Sequence, residues 1–177
     1  MKAAFLSSTA RDLAKYREAA YKVIEGLDDW HCVRMEDFGA RDAMPNEFCR
    51  RKVTECDVFV GIVGHCYGSI PKGSDKSYTE QEYDAAVATE KPRLMFLAPG
   101  DFPLPTHLIE PDEKWAKQRA FRDRVYAKRI RDTFTCYHTG TTNRRVWCDG
   151  PSHCYKPALE EAERILKLCG GHDAEAT

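Results

Sequence analysis

The sequence predicts an α/β protein in which a parallel sheet is covered by helices on both faces. Short apolar runs alternate along the chain with segments whose apolar residues recur at helical spacing. The runs are nearly all apolar, a pattern typical of parallel strands that are buried on both sides. The length of 177 residues suits one such domain with little to spare. We expect that domain to cover residues 1–170 and a polar tail to follow at 171–177.

Five strands are predicted, the last of them from a weaker apolar run than the others. The third gives the strongest signal, because the run Val58–Val63 contains only apolar residues and one glycine. The predicted strands span residues 3–6, 30–35, 58–63, 94–98 and 133–137.

Five helices are predicted between and after these strands. The first opens at Thr9 with an acid, Asp12, three residues later, which resembles a capping box. The third ends at Lys91-Pro92, because proline disfavours helix at the residue before it. The first helix carries an apolar stripe over 13–27, and the others span 46–55, 78–90, 114–131 and 156–168.

Together these elements predict a flavodoxin-like doubly wound fold with five parallel strands in the order 2-1-3-4-5. Two segments are expected to be loops rather than strands or helices. Residues 99–113 are rich in Pro, Asp and Gly, and 140–157 is long for a connection in an α/β unit.

The composition narrows the classes of function. There are 27 Lys and Arg against 28 Asp and Glu, and this balance argues against a dedicated nucleic-acid-binding protein. The longest apolar run, 58–63, is far shorter than the roughly 20 residues that a bilayer requires. The apolar run before Ser7 is too short for a signal peptide. We therefore expect a cytoplasmic protein with no membrane partner and with its eight cysteines reduced.

A ligand is expected beyond the carboxyl ends of the strands, where the strand order reverses. In the order 2-1-3-4-5 this point lies between the first and third strands. Ser7, Ser8 and Thr9 follow the first strand, with Arg11 close behind. They precede a helix N-terminus, whose backbone N–H groups suit a phosphate or ribose. The alternative is that Ser8 or Thr9 only caps the helix.

Candidate ligand contacts also follow the third and second strands. Gly64 and Gly68 allow close backbone approach, and Tyr67 between them is expected to stack on a base. The loop has neither the Walker nor the dinucleotide spacing, so it is a weak phosphate loop. Glu36, just past the second strand, is a candidate for a ribose hydroxyl, or it pairs with a neighbouring arginine.

Glu82 on the third helix is the strongest catalytic candidate. Ser77 and Glu80 fit a capping box at the start of this helix, with Ser77 also a candidate ligand contact. Glu82 is followed at i+3 and i+4 by Ala85 and Ala86, so it lies on a small apolar stripe that faces the sheet. Burial there should raise its pKa, as in a catalytic acid, base or nucleophile. The alternatives are a solvated glutamate and a structural ion pair.

Several sequence runs resemble an uncharacterised TIR-like domain family, whose members often precede STAND or NACHT ATPase or tetratricopeptide modules. Together they cover residues 3–98 densely. The matching runs are Phe5-Leu6-Ser7-Ser8-Thr9, Arg11-Asp12-Leu13, Tyr16-Arg17, Met35-Glu36-Asp37-Phe38, Cys56-Asp57-Val58-Phe59-Val60-Gly61, Tyr67-Gly68 and Ser77-Tyr78-Thr79-Glu80-Gln81-Glu82-Tyr83.

Two better understood groups share this architecture. In nucleoside 2-deoxyribosyltransferases a glutamate opens the third helix in a T-x-x-E pattern, and Thr79-x-x-Glu82 is similar to it. In TIR domains with NAD glycohydrolase activity, a glutamate on the corresponding helix serves the cleavage of an N-glycosidic bond. The resemblance implies that Glu82 is the key carboxylate and that Ser7, Ser8 and Tyr67 lie near the ligand. Unlike the TIR enzymes, this sequence has no obvious Trp or Cys next to the glutamate.

Two classes of function follow from these observations. The leading hypothesis is an enzyme of signalling or antiphage defence that cleaves or transfers the N-glycosidic bond of NAD or a related nucleotide, without a cofactor. The rival is a non-catalytic signalling domain that at most binds a nucleotide. Because many TIR-like domains assemble with one another, a homo-oligomer on activation is expected. The eight basic residues at 114–131 are expected to form a solvated face, or else a partner surface.

A metal site is the weakest candidate. Histidines and cysteines suit zinc, but their spacing here matches no common structural motif, and free thiols with loop histidines are the alternative. The residues concerned are Cys136, His138, Cys148, His153 and Cys154. The cysteines before residue 70 are expected to be ordinary buried thiols.

Overall fold

The computed structural model describes residues 1–38, 46–98, 100–127 and 133–134. It confirms the α/β class, with four parallel strands and four helices alternating along this part of the chain. The strands are β1 (Lys2–Ser8), β2 (Trp30–Val33), β3 (Val58–Val63) and β4 (Arg93–Leu97). The helices are α1 (Ala10–Glu25), α2 (Asn46–Glu55), α3 (Tyr78–Ala88) and α4 (Asp112–Ala127), with short 3-10 turns at Met35–Phe38 and Thr106–Leu108.

The strands lie in the order β2-β1-β3-β4, and each pair of neighbours is parallel. The register places Ser7 of β1 opposite Gly61 of β3. A two-residue segment, Thr133–Phe134, pairs in parallel with the middle of β4. Because the strands are parallel, their carboxyl ends share one edge of the sheet, and the loops that follow β1, β3 and β4 meet there.

The sheet has a separate apolar core on each face. On one side Leu13, Ala20 and Ile24 of α1 pack on alternate residues of β1 and β3. On the other side residues of α2, α3 and α4 pack around Phe5 and Phe59, whose rings stack with centroids 6.0 Å apart. All six residues of β3 are buried, which explains why this run is continuously apolar.

The predicted bounds of the strands and helices agree most closely with the structure in the middle of the chain. β3 and α2 coincide with their predicted spans, whereas α3 ends at Ala88, two residues earlier than expected. Glu90 there has a φ of 53°, so the chain has already left the helix before Pro92. The predicted strand residues 135–137, the helix 156–168, the loop 140–157 and the tail lie outside the described residues.

The described part of the basic fourth helix is only partly a solvated face. Arg119 is exposed, whereas Arg122 is half-buried and donates from Nη1 to the carbonyl oxygens of Val63 (3.1 Å) and Gly64 (2.9 Å). Burial lowers the pKa of its guanidinium. The other basic residues of the predicted run, 128, 129 and 131, lie outside the described residues. Arg122 therefore bonds carbonyl groups at the end of β3 inside the protein.

The cysteines before residue 70 are free and buried, as the sequence predicts. Burial raises their thiol pKa values, to about 12 for Cys32 and Cys66 and to about 11 for Cys49 and Cys56. These thiols are therefore protonated at neutral pH. Among the described helices, none is long and apolar enough to cross a membrane.

Hydrogen bonds protect the edge of β2 that faces away from β1 against pairing with another strand. Alternate N–H groups along this strand find acceptors outside the sheet instead of facing solvent. Trp30 donates to the carbonyl of Leu27 (3.3 Å), and Cys32 donates to Oε1 of Glu25 (2.6 Å). Edge strands with unpaired N–H groups invite pairing with another chain, so the Glu25 carboxylate protects this edge.

Replacing Glu25 by alanine is expected to destabilise the fold and to expose this edge. The loss of one hydrogen bond to the backbone of Cys32 should cost about 1 kcal/mol. This corresponds to a melting temperature lowered by about 2–4 °C for a domain of this size. Calorimetry measures the first effect, and light scattering over a range of concentrations measures self-association.

Glu25→Gln is the matched control, because its amide oxygen can still accept the Cys32 N–H. It should resemble the wild type in both measurements. An alanine variant as stable and as monomeric as the glutamine variant would contradict a protective role for this carboxylate.

Candidate functional site

The carboxylate of Asp12 joins the loop after β1 to the loop after β3. Its Oδ2 accepts hydrogen bonds from the backbone N–H groups of His65 and Cys66, both at 3.0 Å, and its Oδ1 accepts one from the Thr9 hydroxyl. This corrects the predicted capping box, because Thr9 precedes α1 but its side chain accepts no hydrogen bond from the helix. Gly64 is required here, since a Cβ would lie 2.3 Å from Oδ2 of Asp12.

Glu82 lies at the sheet-facing side of α3, close to the end of β1. Its side chain is buried, with only 3% of the residue exposed. Oε2 accepts a hydrogen bond of 2.5 Å from the hydroxyl of Ser7, which is itself buried. The carboxylate is therefore held in a defined orientation at the point where β1 ends.

Glu82 lies at one wall of a cleft of about 230 Å³ at the carboxyl edge of the sheet. The wall residues come from the end of β1, the first half of α1, the 3-10 turn after β2, the loop after β3 and the first turns of α3. They are Ser8, Thr9, Ala10, Arg11, Arg17, Met35, Gly68, Ser69, Tyr78, Thr79 and Glu82.

Two arginines give the cleft a positive side. Arg17 is buried, and its Nη1 donates to the hydroxyl oxygen of Ser8 (2.9 Å) and to the Ser8 carbonyl (3.3 Å). The Arg11 side chain is 54% exposed, with Nη1 3.8 Å from Oε1 of Glu110. Guanidinium groups bind phosphate and carboxylate with two parallel hydrogen bonds, so this side of the cleft suits an anionic group.

Tyr67 does not line the cleft, and its expected stacking on a base is wrong. Its hydroxyl donates to Oε2 of Glu80 (2.5 Å), and its backbone N–H donates to Oε2 of Glu110 (2.5 Å). Arg124 donates to the other oxygen of Glu80 at 2.7 Å. Burial and the Glu80 carboxylate raise the pKa of the Tyr67 phenol to about 12. Tyr67 is thus part of a buried polar network behind the cleft.

The other predicted site residues fall into two groups. Ser8, Thr9, Arg11 and Gly68 line the cleft together with Glu82, and Ser7 reaches it through its hydrogen bond to that carboxylate. Two more predicted residues do not line it. Gly64 packs on Asp12, while Ser77 is buried and caps α3 by accepting from the N–H of Glu80 at 3.3 Å.

Three more predictions concern Glu36, the start of α3 and the candidate metal site. Glu36 lies in the 3-10 turn after β2, next to Met35 of the cleft. The capping box at α3 is only half formed, because the Glu80 carboxylate binds Tyr67 and Arg124. The metal candidates at 136–154 lie outside the described residues. Within the part of the chain that the structure describes, no group of three His, Cys, Asp or Glu residues could hold a metal.

Sequence reasoning missed six residues that line the cleft. A helical spacing signal was available for Tyr78, which precedes Glu82 by four residues and so shares its face of α3. None was available for Met35, which the fold brings in from the 3-10 turn after β2. The missed residues are Ala10, Arg17, Met35, Ser69, Tyr78 and Thr79.

A cysteine does lie near Glu82, although it is not adjacent in sequence. Cys49 comes from α2, and its thiol contacts the thioether of Met35 at 3.5 Å. Burial and the Glu82 carboxylate raise the pKa of this thiol to about 11. The two groups are therefore close enough to interact electrostatically.

Comparison with known families adds one finding. A family model described as a domain of unknown function (DUF4062) matches residues 3–143. The match extends well beyond residue 98 and includes every residue of the cleft. A search of curated proteins finds no match.

Replacing Gly64 by alanine is expected to disrupt the junction between the two loops. The new Cβ would meet Asp12 at 2.3 Å and Leu13 at 3.1 Å, so the loop after β3 must shift. Overpacking of this kind costs about 1–3 kcal/mol, which urea denaturation would measure. Gly100→Ala is the control, because a Cβ added at Gly100 would have no atom within 4 Å. Equal stability of the two variants would show that this close approach is not needed.

Proposed function

The chain belongs to the DUF4062 family of domains of unknown function, and we propose that its cleft cleaves or transfers the N-glycosidic bond of a nucleotide. NAD or a related nucleotide is the proposed substrate, with no cofactor required. The observation that carries this proposal is the buried carboxylate of Glu82, oriented by Ser7 in a cleft that also contains two arginines.

The chemistry requires a carboxylate at the ribose. When an N-glycosidic bond breaks, the departing base leaves an oxocarbenium-like ribose that carries developing positive charge. A carboxylate in a poorly solvated site can stabilise this charge or trap the ribose covalently. Glu82 is buried and has a fixed orientation, so it would do either without reorganisation. A water or an acceptor nucleophile then completes hydrolysis or transfer.

The other end of the cleft would hold the phosphate. The Arg11 side chain is 54% exposed, and Arg11, Ser8 and Thr9 all line the cleft. The N-terminus of α1 starts there at Ala10, and the Thr9 side chain does not cap it. A helix N-terminus with nearby guanidinium groups favours an anion, in agreement with a phosphorylated ligand.

We extend the proposal to the architecture and setting of the protein. The order β2-β1-β3-β4, with Thr133–Phe134 beside β4, supports a five-stranded flavodoxin-like sheet of the TIR-like type. The domain would work in the cytoplasm, in signalling or antiphage defence, and form a homo-oligomer on activation. The rival is a self-associating signalling domain that binds the nucleotide in this same cleft but leaves it intact.

Glu82→Gln is expected to abolish most of the turnover of NAD. The amide keeps the shape of the side chain but lacks the charge that stabilises the ribose, so nicotinamide release should fall by roughly 10²–10⁴-fold. Chromatography of nicotinamide and ADP-ribose after incubation of the full chain with NAD measures this.

Glu113→Gln is the control, because that carboxylate lies outside the cleft and its side chain is 81% exposed. Unchanged turnover by the Glu82 variant would remove this residue from the mechanism. Binding of NAD without release of nicotinamide, at every protein concentration, would favour the non-catalytic rival.

A further inference from the structure

We infer that Tyr78 is the residue on which the base of the bound nucleotide stacks. This inference rests on the proposed nucleotide cleft and adds a base-binding residue to it. Among the aromatic residues of the described ranges, Tyr78 is the one that lines the cleft. Tyr67, the sequence candidate, is only 2% exposed and is bound to Glu80.

Tyr78 and Glu82 project from the same face of α3. They are four residues apart, so they lie about one helical turn from each other along the cleft wall. The ribose and the base of a nucleotide are joined by the very bond that Glu82 is proposed to act on. A ribose placed at Glu82 therefore brings its base to the neighbouring position on this wall.

The backbone around Tyr78 is fixed before any ligand binds. Its N–H donates to the carbonyl of Ser69 at 3.1 Å, and the preceding residue, Ser77, caps the helix. Gly68 next to this contact has a φ of 86°, a conformation that favours glycine. Tyr78 is half-buried and lines the cleft.

The apolar and the positively charged residues that line the cleft match the two ends of a nucleotide. Met35 and Tyr78 supply apolar surface, while Arg11 and Arg17 supply positive charge from α1. A base has an apolar face and a phosphate is anionic, so the two would bind at different walls of the cleft. Stacking on an aromatic ring tolerates any base, which suits a site whose specificity comes from ribose and phosphate.

The test compares two probes that differ only in the base, AMP and ribose 5-phosphate. Binding is measured by calorimetry on the full chain carrying Glu82→Gln, which prevents turnover. Tyr78→Ala in this background should weaken the binding of AMP by about 10–100-fold, in the range expected for the loss of one base–aromatic stack. Its affinity for ribose 5-phosphate should be unchanged, and Tyr78→Phe should bind AMP as the parent does.

Tyr126→Ala is the matched control, because that tyrosine is 50% exposed on α4 and does not line the cleft. Melting curves of every variant verify folding, and Tyr78→Leu keeps apolar volume if the alanine variant unfolds. The inference is overturned if Tyr78→Ala weakens the binding of both probes equally, or if it leaves the affinity for AMP unchanged. If neither probe binds to the Glu82→Gln parent, both the stacking inference and the proposed nucleotide-binding cleft are overturned.

The outcome separates this inference from the proposed function. If AMP binding depends on Tyr78 but NAD is never consumed, the stacking role of Tyr78 is supported and the enzymatic proposal is contradicted. If NAD turnover depends on Glu82 but Tyr78→Ala leaves the affinity for AMP unchanged, the enzymatic proposal is supported and the stacking role is contradicted.

Discussion

The geometry of the cleft depends on the carboxylate of Asp12. Parallel strands bring their loops to one edge of the sheet, but nothing in a sheet fixes how those loops lie against each other. Asp12 does so with two backbone hydrogen bonds to the loop after β3, and Gly64 makes room for it. From the other side, Gln118 donates to the Gly64 carbonyl at 2.7 Å. The loop is held between α1 and α4, so the cleft wall that starts at Gly68 has a fixed position.

This arrangement shows which groups the charged residues of this nearly neutral chain contact. Basic residues of α4 that look like a surface patch in the sequence instead satisfy buried acceptors. Arg124 pairs with Glu80, and Arg122 binds the strand-end carbonyl of Val63. A buried carboxylate or carbonyl without such a partner would be costly, and these cations offset that cost. Arg11 and Arg17 are different, because they line the cleft, where an anionic ligand would meet them.

The sequence predicts the class of the fold and the position of its central elements, because hydrophobic periodicity reports burial directly. It favours a sheet-facing Glu82, since this residue shares a small apolar stripe with two alanines one turn later, and the structure buries it. A solvated glutamate is the alternative that the sequence leaves open. The sequence wrongly places Tyr67 at the ligand. The Tyr67 N–H donates to Glu110, 43 residues away, and the hydroxyl donates to Glu80, so this side chain is buried behind the cleft. The contact with Glu110 joins residues far apart in the sequence, so no local pattern reveals it.

In the proposed chemistry Glu82 would be the reacting group, because the other polar groups near the cleft are protonated, packed away from it or bonded to it. A cysteine nucleophile must be a thiolate, yet burial and the Glu82 carboxylate raise the pKa of Cys49 to about 11, so its thiol is protonated. The ring of His65 packs against those of Phe102 and Trp115, with centroids 6.1 and 5.9 Å away, and none of the three lines the cleft. The Ser7 hydroxyl donates its hydrogen bond to Glu82 and so orients that carboxylate. Of the described residues that line the cleft, Glu82 is the one carboxylate, and a positive ribose formed there would have this group as its counter-charge.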